Sequence, residues 1–411
     1  MPSPADFAYI LYTVATVSAK SSFDYYWHGP RLPSWDLRMQ VTLDVMRYMI
    51  SNGAPQFTND DEIENIDIYQ MTQTMRERGL KSTAWPIDKG IYRAHTIDTK
   101  AVDIDTSKFA GVGVGEDGLV RLTEEDRAAE QPRTIGYEIV LGTAAMSALE
   151  PYATDADRLC SIQPLFENEK IILWLHGGGW VIGNPSTHRS FAGEASQQAQ
   201  MRAMTIDYRL TPTHPFPAQT HDTLIAYLYL LQEGFKPENI IVAGDSSGAH
   251  MSIVLVHLLR HMKIAAPGAL VLVSPWTDLV STKPSMESNR LHDYLIIQPL
   301  ESPLSYARML FAPGKPLTDK MRQDMQGMLV SPSKGSFEGF PPTLLQVGGG
   351  ERLLDDVKAL AAKINSQNSG KPGPVVLEIY DDMPHVFHVL FGYRKETRDA
   401  FQSIGEFAKG I

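Results

Sequence analysis

From residue 170 onward the chain alternates short apolar runs with stretches of helical periodicity. The runs are IILWL, MRAMTI, NIIVAG, ALVLVS, TLLQVG and VVLEIY, and helical stretches at 188–200, 219–233, 247–263 and 354–366 lie between most of them. Strands that alternate with helices are joined by right-handed crossovers and therefore lie parallel. Their near-continuous apolar character fits a sheet covered on both faces. The expectation is an α/β fold, a mostly parallel central sheet flanked by helices. Residues 284–330 interrupt the rhythm with a Met-rich insert, expected to be mostly helical.

The first part of the chain reads differently. FAYILYTVATVSA, residues 7–19, is apolar but shorter than the roughly 20 residues of a comfortable membrane span, and it lacks the basic flank of a secretory signal. It reads as a first helix whose aromatic and apolar face allows interfacial association. SWDLRMQVTLDVMRYMI places Leu37, Val41, Val45, Tyr48 and Met49 at helical spacing, with Ser34 as the candidate N-cap. DDEIENIDIYQMTQTMRERGL reads as a further helix ending at Gly79. Strands are expected at 91–99 and 134–140, with a polar loop between them. These features divide the chain into an N-terminal helical cap region, 1–90, and a larger α/β domain, 91–411, that contains the 284–330 cap insert.

A formal net charge of −11 disfavours nucleic acid, which needs clustered Lys and Arg, and electrostatic docking on anionic membranes. The single cysteine, Cys160, permits no intramolecular disulfide and reads as a partly buried thiol. A cytoplasmic location is expected, with peripheral membrane association allowed by the first helix and no integral span. The sequence leaves the oligomeric state open.

The chemistry centres on IIVAGDSSGAH, residues 240–250. A strand runs into Gly244-Asp245-Ser246-Ser247-Gly248 and then into an apolar helical stretch, the strand–turn–helix context that G-x-S-x-G requires. Ser246 then stands at the tip of the turn and at a helix N-terminus, where developing negative charge is favoured. WLHGGGWVIG, residues 174–183, supplies the complement. Acyl transfer needs N–H donors aimed at the oxyanion, and a loop without Cβ atoms lets substrate reach them. Gly178 and Gly179, with the N–H of Ser247, are the candidate oxyanion donors. His176 reads better as a residue that orients this loop through hydrogen bonds than as a base. GVGEDG, residues 113–118, fits G-x-G-x-x-G, but a lone match without a preceding strand and a following helix is a weak dinucleotide signal.

HGGGW, YRLTPTHPFPAQTHD, GDSSG, SPWTDL and FPPTLLQVG occur in that order, and together they resemble the hormone-sensitive-lipase-type branch of the α/β-hydrolase family. The resemblance covers about residues 168–395. It implies an α/β-hydrolase fold and carboxylic ester hydrolysis through a Ser–acid–His triad, with no metal and no cofactor. In this fold the order is Ser, acid, His. The family places its histidine before a small residue and Phe, which is His385-Val386-Phe387 here. His388 then reads as a packing residue. The family acid falls in D-P-L-x-D, where this chain has Glu351-Arg352-Leu353-Leu354-Asp355-Asp356. By register Glu351 is the acid, with Asp355 as the runner-up. Asp207, Tyr208, Arg209, Asp222, Asp245 and Asp278 read as structural.

The expected function is hydrolysis of apolar, small-to-medium esters, with a small-molecule ester as partner. A thioesterase, lactonase, deacetylase or acyltransferase of secondary metabolism on the same triad is the alternative. A non-catalytic ligand receptor on a hydrolase fold is the remote one.

Overall fold

A computed structural model describes residues 4–53, 68–73, 76, 90–302, 304–369 and 375–411, with side chains in the first segment from 11 to 51. Eight strands form one sheet: β1 (Gly90–Asp98), β2 (Thr134–Gly142), β3 (Ile171–Leu175), β4 (Arg202–Ile206), β5 (Ile240–Asp245), β6 (Ala269–Val273), β7 (Thr343–Gly348) and β8 (Val375–Tyr380). Their spatial order is β1-β2-β4-β3-β5-β6-β7-β8. Strand β2 runs antiparallel to β1 and β4, and β3 to β8 are parallel throughout.

The apolar runs are continuous because successive side chains serve opposite cores. On β3, Ile171, Leu173 and Leu175 join one apolar cluster, while Ile172 and Trp174 join another. The first cluster lies under α3 (Glu116–Ala128), α5 (Ala218–Gln232), α6 (Ser247–His261) and α7 (Leu354–Gln367); the second lies under α4 (Pro185–Ala199) and α8 (Lys395–Gly410). Each such aliphatic side chain contributes about 1.5–3 kcal/mol on burial. The parallel strands thus point their C-terminal ends to one edge, held rigid from both faces.

Before the sheet, α1 (Pro4–His28) and α2 (Leu37–Gly53) form an antiparallel pair. Ser21 Oγ–H donates to Asp44 at 2.7 Å, and Arg31 donates to both oxygens of Asp44. Ser34 is not the cap of α2: the N–H of Met39 is taken by Asp36 Oδ1 at 2.7 Å, while the Ser34 N–H donates to Asp382. An ionised carboxylate two residues closer to the first turn is the stronger acceptor. The helical spacing holds, and among the described side chains of α2 Met39, Gln40 and Leu43 are buried, Leu37, Val41 and Val45 half-buried, and Tyr48 and Met49 exposed. Trp35, Met39 and Leu43 pack on Met383, Phe387 and Phe391, so the packing partner, not the widest apolar stripe, selects the face.

Two further expectations are corrected. The stretch between β1 and β2 is not all loop, because α3 buries Leu119, Leu122, Thr123 and Asp126 on one side. The insert is not mostly helical: the described residues of 284–330 carry only short helices, Ser285–Ser288, Tyr306–Phe311 and Asp319–Asp324. Pro284, Pro299, Pro313 and Pro316 break longer ones. In the third N-terminal stretch, residues 68–73 and 76 are helical, and its expected end at Gly79 lies outside the described residues.

Candidate active site

Ser246 stands alone at the corner between β5 and α6, with φ 52° and ψ −116°. Positive φ is strained for a residue with a Cβ, and close backbone contacts hold the corner. A Cβ on Gly248 would lie 2.0 Å from the Leu175 carbonyl oxygen, so only glycine lets the start of α6 press against the end of β3.

His385 comes from the loop after β8 and Glu351 from the loop after β7. Ser246 Oγ–H donates to His385 Nε2 at 2.9 Å, and His385 Nδ1–H donates to Glu351 Oε2 at 3.0 Å. The carboxylate only accepts, so it fixes the imidazole tautomer. All three side chains are buried. The other oxygen of Glu351 accepts from Ser274 Oγ–H and from the Gly348 N–H, each at 2.6 Å. Ser274 also accepts from the Val386 N–H at 3.2 Å, tying the Glu351 and His385 loops to the end of β6. Burial pulls the His385 imidazole down; the hydrogen bond and charge of Glu351, with Asp293 and Asp245 behind, reverse this and leave it above the ordinary histidine value. Asp355 is turned to the insert, where it accepts from the Ser285 N–H at 2.9 Å.

The glycine loop leaves β3 beside this corner. Gly177 N–H donates to Asp245 Oδ1 at 3.2 Å and Trp180 N–H to Ser247 Oγ at 3.3 Å, so the loop is pinned to the turn on both sides of Gly178 and Gly179. The N–H groups of Gly178 and Gly179 have no acceptor among the described residues. That of Ser247, in the first turn of α6, has no intrahelical one. The missing Cβ atoms do not simply open a path for substrate. A Cβ on Gly178 (φ 113°) would lie 2.2 Å from the Ile182 carbonyl oxygen, and one on Gly179 (φ 61°) 2.6 Å from the Tyr306 ring. The glycines let the loop take left-handed turns packed under the insert, and those turns leave the N–H groups free.

His176 is fully buried, stacked on Tyr208, and held near about 3 chiefly by burial, so it is neutral. Its Nδ1 lies 2.7 Å from the Gly177 carbonyl oxygen, and Tyr208 Oη–H donates to the His176 carbonyl at 2.7 Å. His388 is bonded to Gln346 at 3.1 Å, away from Ser246. Asp222 pairs with Arg133 and Arg209, and Asp278 with Lys334. Burial pushes the Cys160 thiol up to about 11. GVGEDG does run into a helix, α3, but that helix opens with Glu116 and Asp117, which repel a phosphate. Among the described residues no three His, Cys, Asp or Glu side chains could hold a metal ion.

Two residues at the site have no role expected from the sequence. Ser274 opens SPWTDL just after β6; that stretch carries the family resemblance but does not mark its serine as a partner of Glu351. Asp293 lies in the insert and accepts from the N–H groups of His385 and Leu295, each at 3.2 Å, and of Arg352 at 2.9 Å. Beside Gly178 a cavity of about 60 Å³ is lined by Ile50, Thr72, Val181, Ile182, Leu304 and Met309, among others.

A buried serine, histidine and carboxylate in one hydrogen-bonded line, at the C-terminal edge of a mostly parallel sheet, is the arrangement of a hydrolase that works through acyl transfer. The α/β hydrolase fold family matches residues 172–389. An esterase of Acinetobacter venetianus is 32% identical over 59% of this chain and 75% of its own. An acetyl-hydrolase of Streptomyces hygroscopicus is 30% identical over 71% of this chain and 94% of its own. Among solved structures, an esterase from the bacterial hormone-sensitive lipase family superposes with a TM-score of 0.59 at 28% identity, covering 90% of this chain and 97% of the other. The chain belongs to the α/β-hydrolase family, in its hormone-sensitive-lipase-type esterase branch. It is a carboxylesterase- or lipase-like hydrolase acting on carboxylic esters.

Proposed function

We propose that the protein hydrolyses small, apolar carboxylic esters through Ser246, His385 and Glu351. The continuous Ser246–His385–Glu351 hydrogen-bond line carries this reading. His385 Nε2 takes the Ser246 proton as Oγ attacks the acyl carbonyl, and Glu351 stabilises the imidazolium that forms. The N–H groups of Gly178, Gly179 and Ser247 receive the oxyanion. His385 then protonates the leaving alcohol, and the acyl-enzyme is released by water activated at the same nitrogen. His176 orients the glycine loop and takes no proton.

The cavity beside Gly178 has room for about two water-sized groups and an aliphatic lining, which favours a short acyl chain. The name of the acetyl-hydrolase relative points the same way. Residues 1–90 and the 284–330 insert serve as the cap over the 91–411 catalytic domain. No described helix is long and apolar enough to cross a membrane. The outward face of α1 is the surface that would lie on a lipid interface.

The test is hydrolysis across a chain-length series of activated esters, with Ser246→Ala and a fluorophosphonate label. Activity should peak at short acyl chains, and both activity and labelling should vanish in Ser246→Ala. Retained activity in that variant overturns the reading.

A further inference from the structure

Asp293 is a carboxylate that the acyl-transfer chemistry does not use, yet it is fully buried beneath the base. It belongs to the insert, far in sequence from β7 and β8. Its Oδ1 accepts from the N–H of His385 and of Leu295, and its Oδ2 from the N–H of Arg352, the residue after Glu351. Three backbone donors converge on two oxygens, and the geometry calls for no donor in return. A carboxylate meets that demand. An amide of the same shape does not, because its NH2 would face one of the N–H groups.

Among the described residues of the insert, the neighbours that hydrogen-bond to these two loops reach only the Glu351 loop, while Tyr294 packs beside the His385 ring. Asn289 Nδ2 donates to the carbonyls of Gly349, at 3.2 Å, and Glu351, at 2.7 Å, and Ser285 Oγ–H donates to that of Arg352 at 2.8 Å. Asp293 alone among them reaches both loops, and so fixes the distance between the backbones that carry acid and base.

We propose that Asp293 is a positioning residue of the active site, an insert carboxylate that holds the Glu351 and His385 loops in register and adds its charge to the field that sustains the His385 imidazolium. This rests on the Ser246–His385–Glu351 reading. The charged and titratable groups that face Asp293 are His385 and Glu351 from the two loops, Arg352 beside them, Tyr294 next to it in the insert, and Arg47 from α2. Burial raises the Asp293 carboxyl to about 6, with the positive His385 pulling it down and Glu351 pushing it up. It is therefore ionised in the range where a neutral His385 can act as a base. Loss of its charge removes one of the contributions that raise His385, so the neutral imidazole persists to lower pH.

The experiment compares Asp293→Asn, Ser246→Ala and the wild type by pH–rate profile, with turnover normalised to the end-point stoichiometry of fluorophosphonate labelling. For D293N, kcat per labelled site should fall about 10²-fold with KM little changed, and the acid limb of kcat/KM should move down by about 1 pH unit. A purely structural role would lower the labelled fraction and leave both values unmoved, which overturns the proposal. If S246A keeps its activity, the triad reading itself fails; if S246A is inactive while D293N matches the wild type, only the role of Asp293 fails. Should D293N not fold, NMR titration of the wild type decides. The amide resonances of Leu295, Arg352 and His385 should shift together as Asp293 takes its proton, and three amides that move independently or not at all overturn the proposal.

Discussion

At the residue scale the unusual feature is a glutamate where the family pattern has aspartate. Glu351 reaches His385 while its second oxygen is held by Ser274 and the Gly348 N–H, so the longer side chain is fixed at both oxygens. Glu351→Gln should cost about 10⁴ in kcat, as loss of the orienting carboxylate does in a Ser-His-Asp triad. Asp355→Asn, which touches only the Ser285 contact, should cost less than about tenfold. A larger loss from Asp355→Asn in steady-state kinetics would reverse the assignment of the acid. The pH dependence has a definite sign. Because His385 lies above its ordinary value, kcat/KM should rise with pH through an apparent pKa above 6.5, and Glu351→Gln should move that limb down. The same shift makes the native state bind the His385 proton more tightly than the unfolded chain. Its stabilising contribution is therefore complete below the unfolded value and lost as pH rises through the folded one. Ser246, His385 and Glu351, the proposed triad, could be singled out in the sequence because each sits in a short motif at the end of a strand. The roles of Ser274, although it opens the SPWTDL stretch, and of Asp293 could not be read, because each rests on a contact, across 77 residues in one case and across 92 in the other, of which a single sequence carries no trace.

At the element scale, β3 to β7 could be read because burial on both faces leaves short apolar runs set between helical stretches. α3 was missed because only one narrow side is buried and the rest is charged. α1 shows the opposite problem. Its inward side buries Thr13 and Ser21, small polar residues that suit close packing on α2, while Tyr12, Phe23, Tyr26 and Trp27 point outward at 71%, 60%, 77% and 74% exposure. A surface helix normally shows the reverse pattern. Tyr and Trp are the residues that favour the headgroup layer of a bilayer, and the outward face offers no cluster of Lys or Arg for anionic lipid. The lipid contact proposed for this face would be with a zwitterionic surface. Phosphatidylcholine vesicles should therefore co-sediment the wild-type protein. Phe23→Ser with Trp27→Ser should abolish that binding and leave hydrolysis of a water-soluble ester unchanged. Concentration-dependent dimers without vesicle binding, seen in sedimentation velocity, would assign the face to a second copy instead.

At the scale of the whole molecule, two segments far apart in the sequence close on each other beside His385. Trp35 Nε1–H donates to the Asp382 carbonyl at 2.7 Å, three residues before His385, and Arg31 and Arg47 both donate to the Leu291 carbonyl in the insert, two residues before Asp293. Trp35, Met39 and Leu43 share one apolar cluster with Met383, Phe387, Phe391 and Ala400. The region read as a cap in the sequence is thus part of the packing that supports the His385 loop, and the N-terminal pair and the catalytic body should unfold as one cooperative unit. Trp35→Ala tests this directly. Removing a fully buried indole and its hydrogen bond should cost about 3–5 kcal/mol, visible as a single thermal transition at lower temperature. Because the loop that carries His385 loses its support, turnover should fall already below that transition, where the rest of the sheet is intact. Two separate calorimetric transitions, with only the first shifted by Trp35→Ala and activity surviving it, would show instead that the N-terminal pair is an independent unit and that the base loop stands without it.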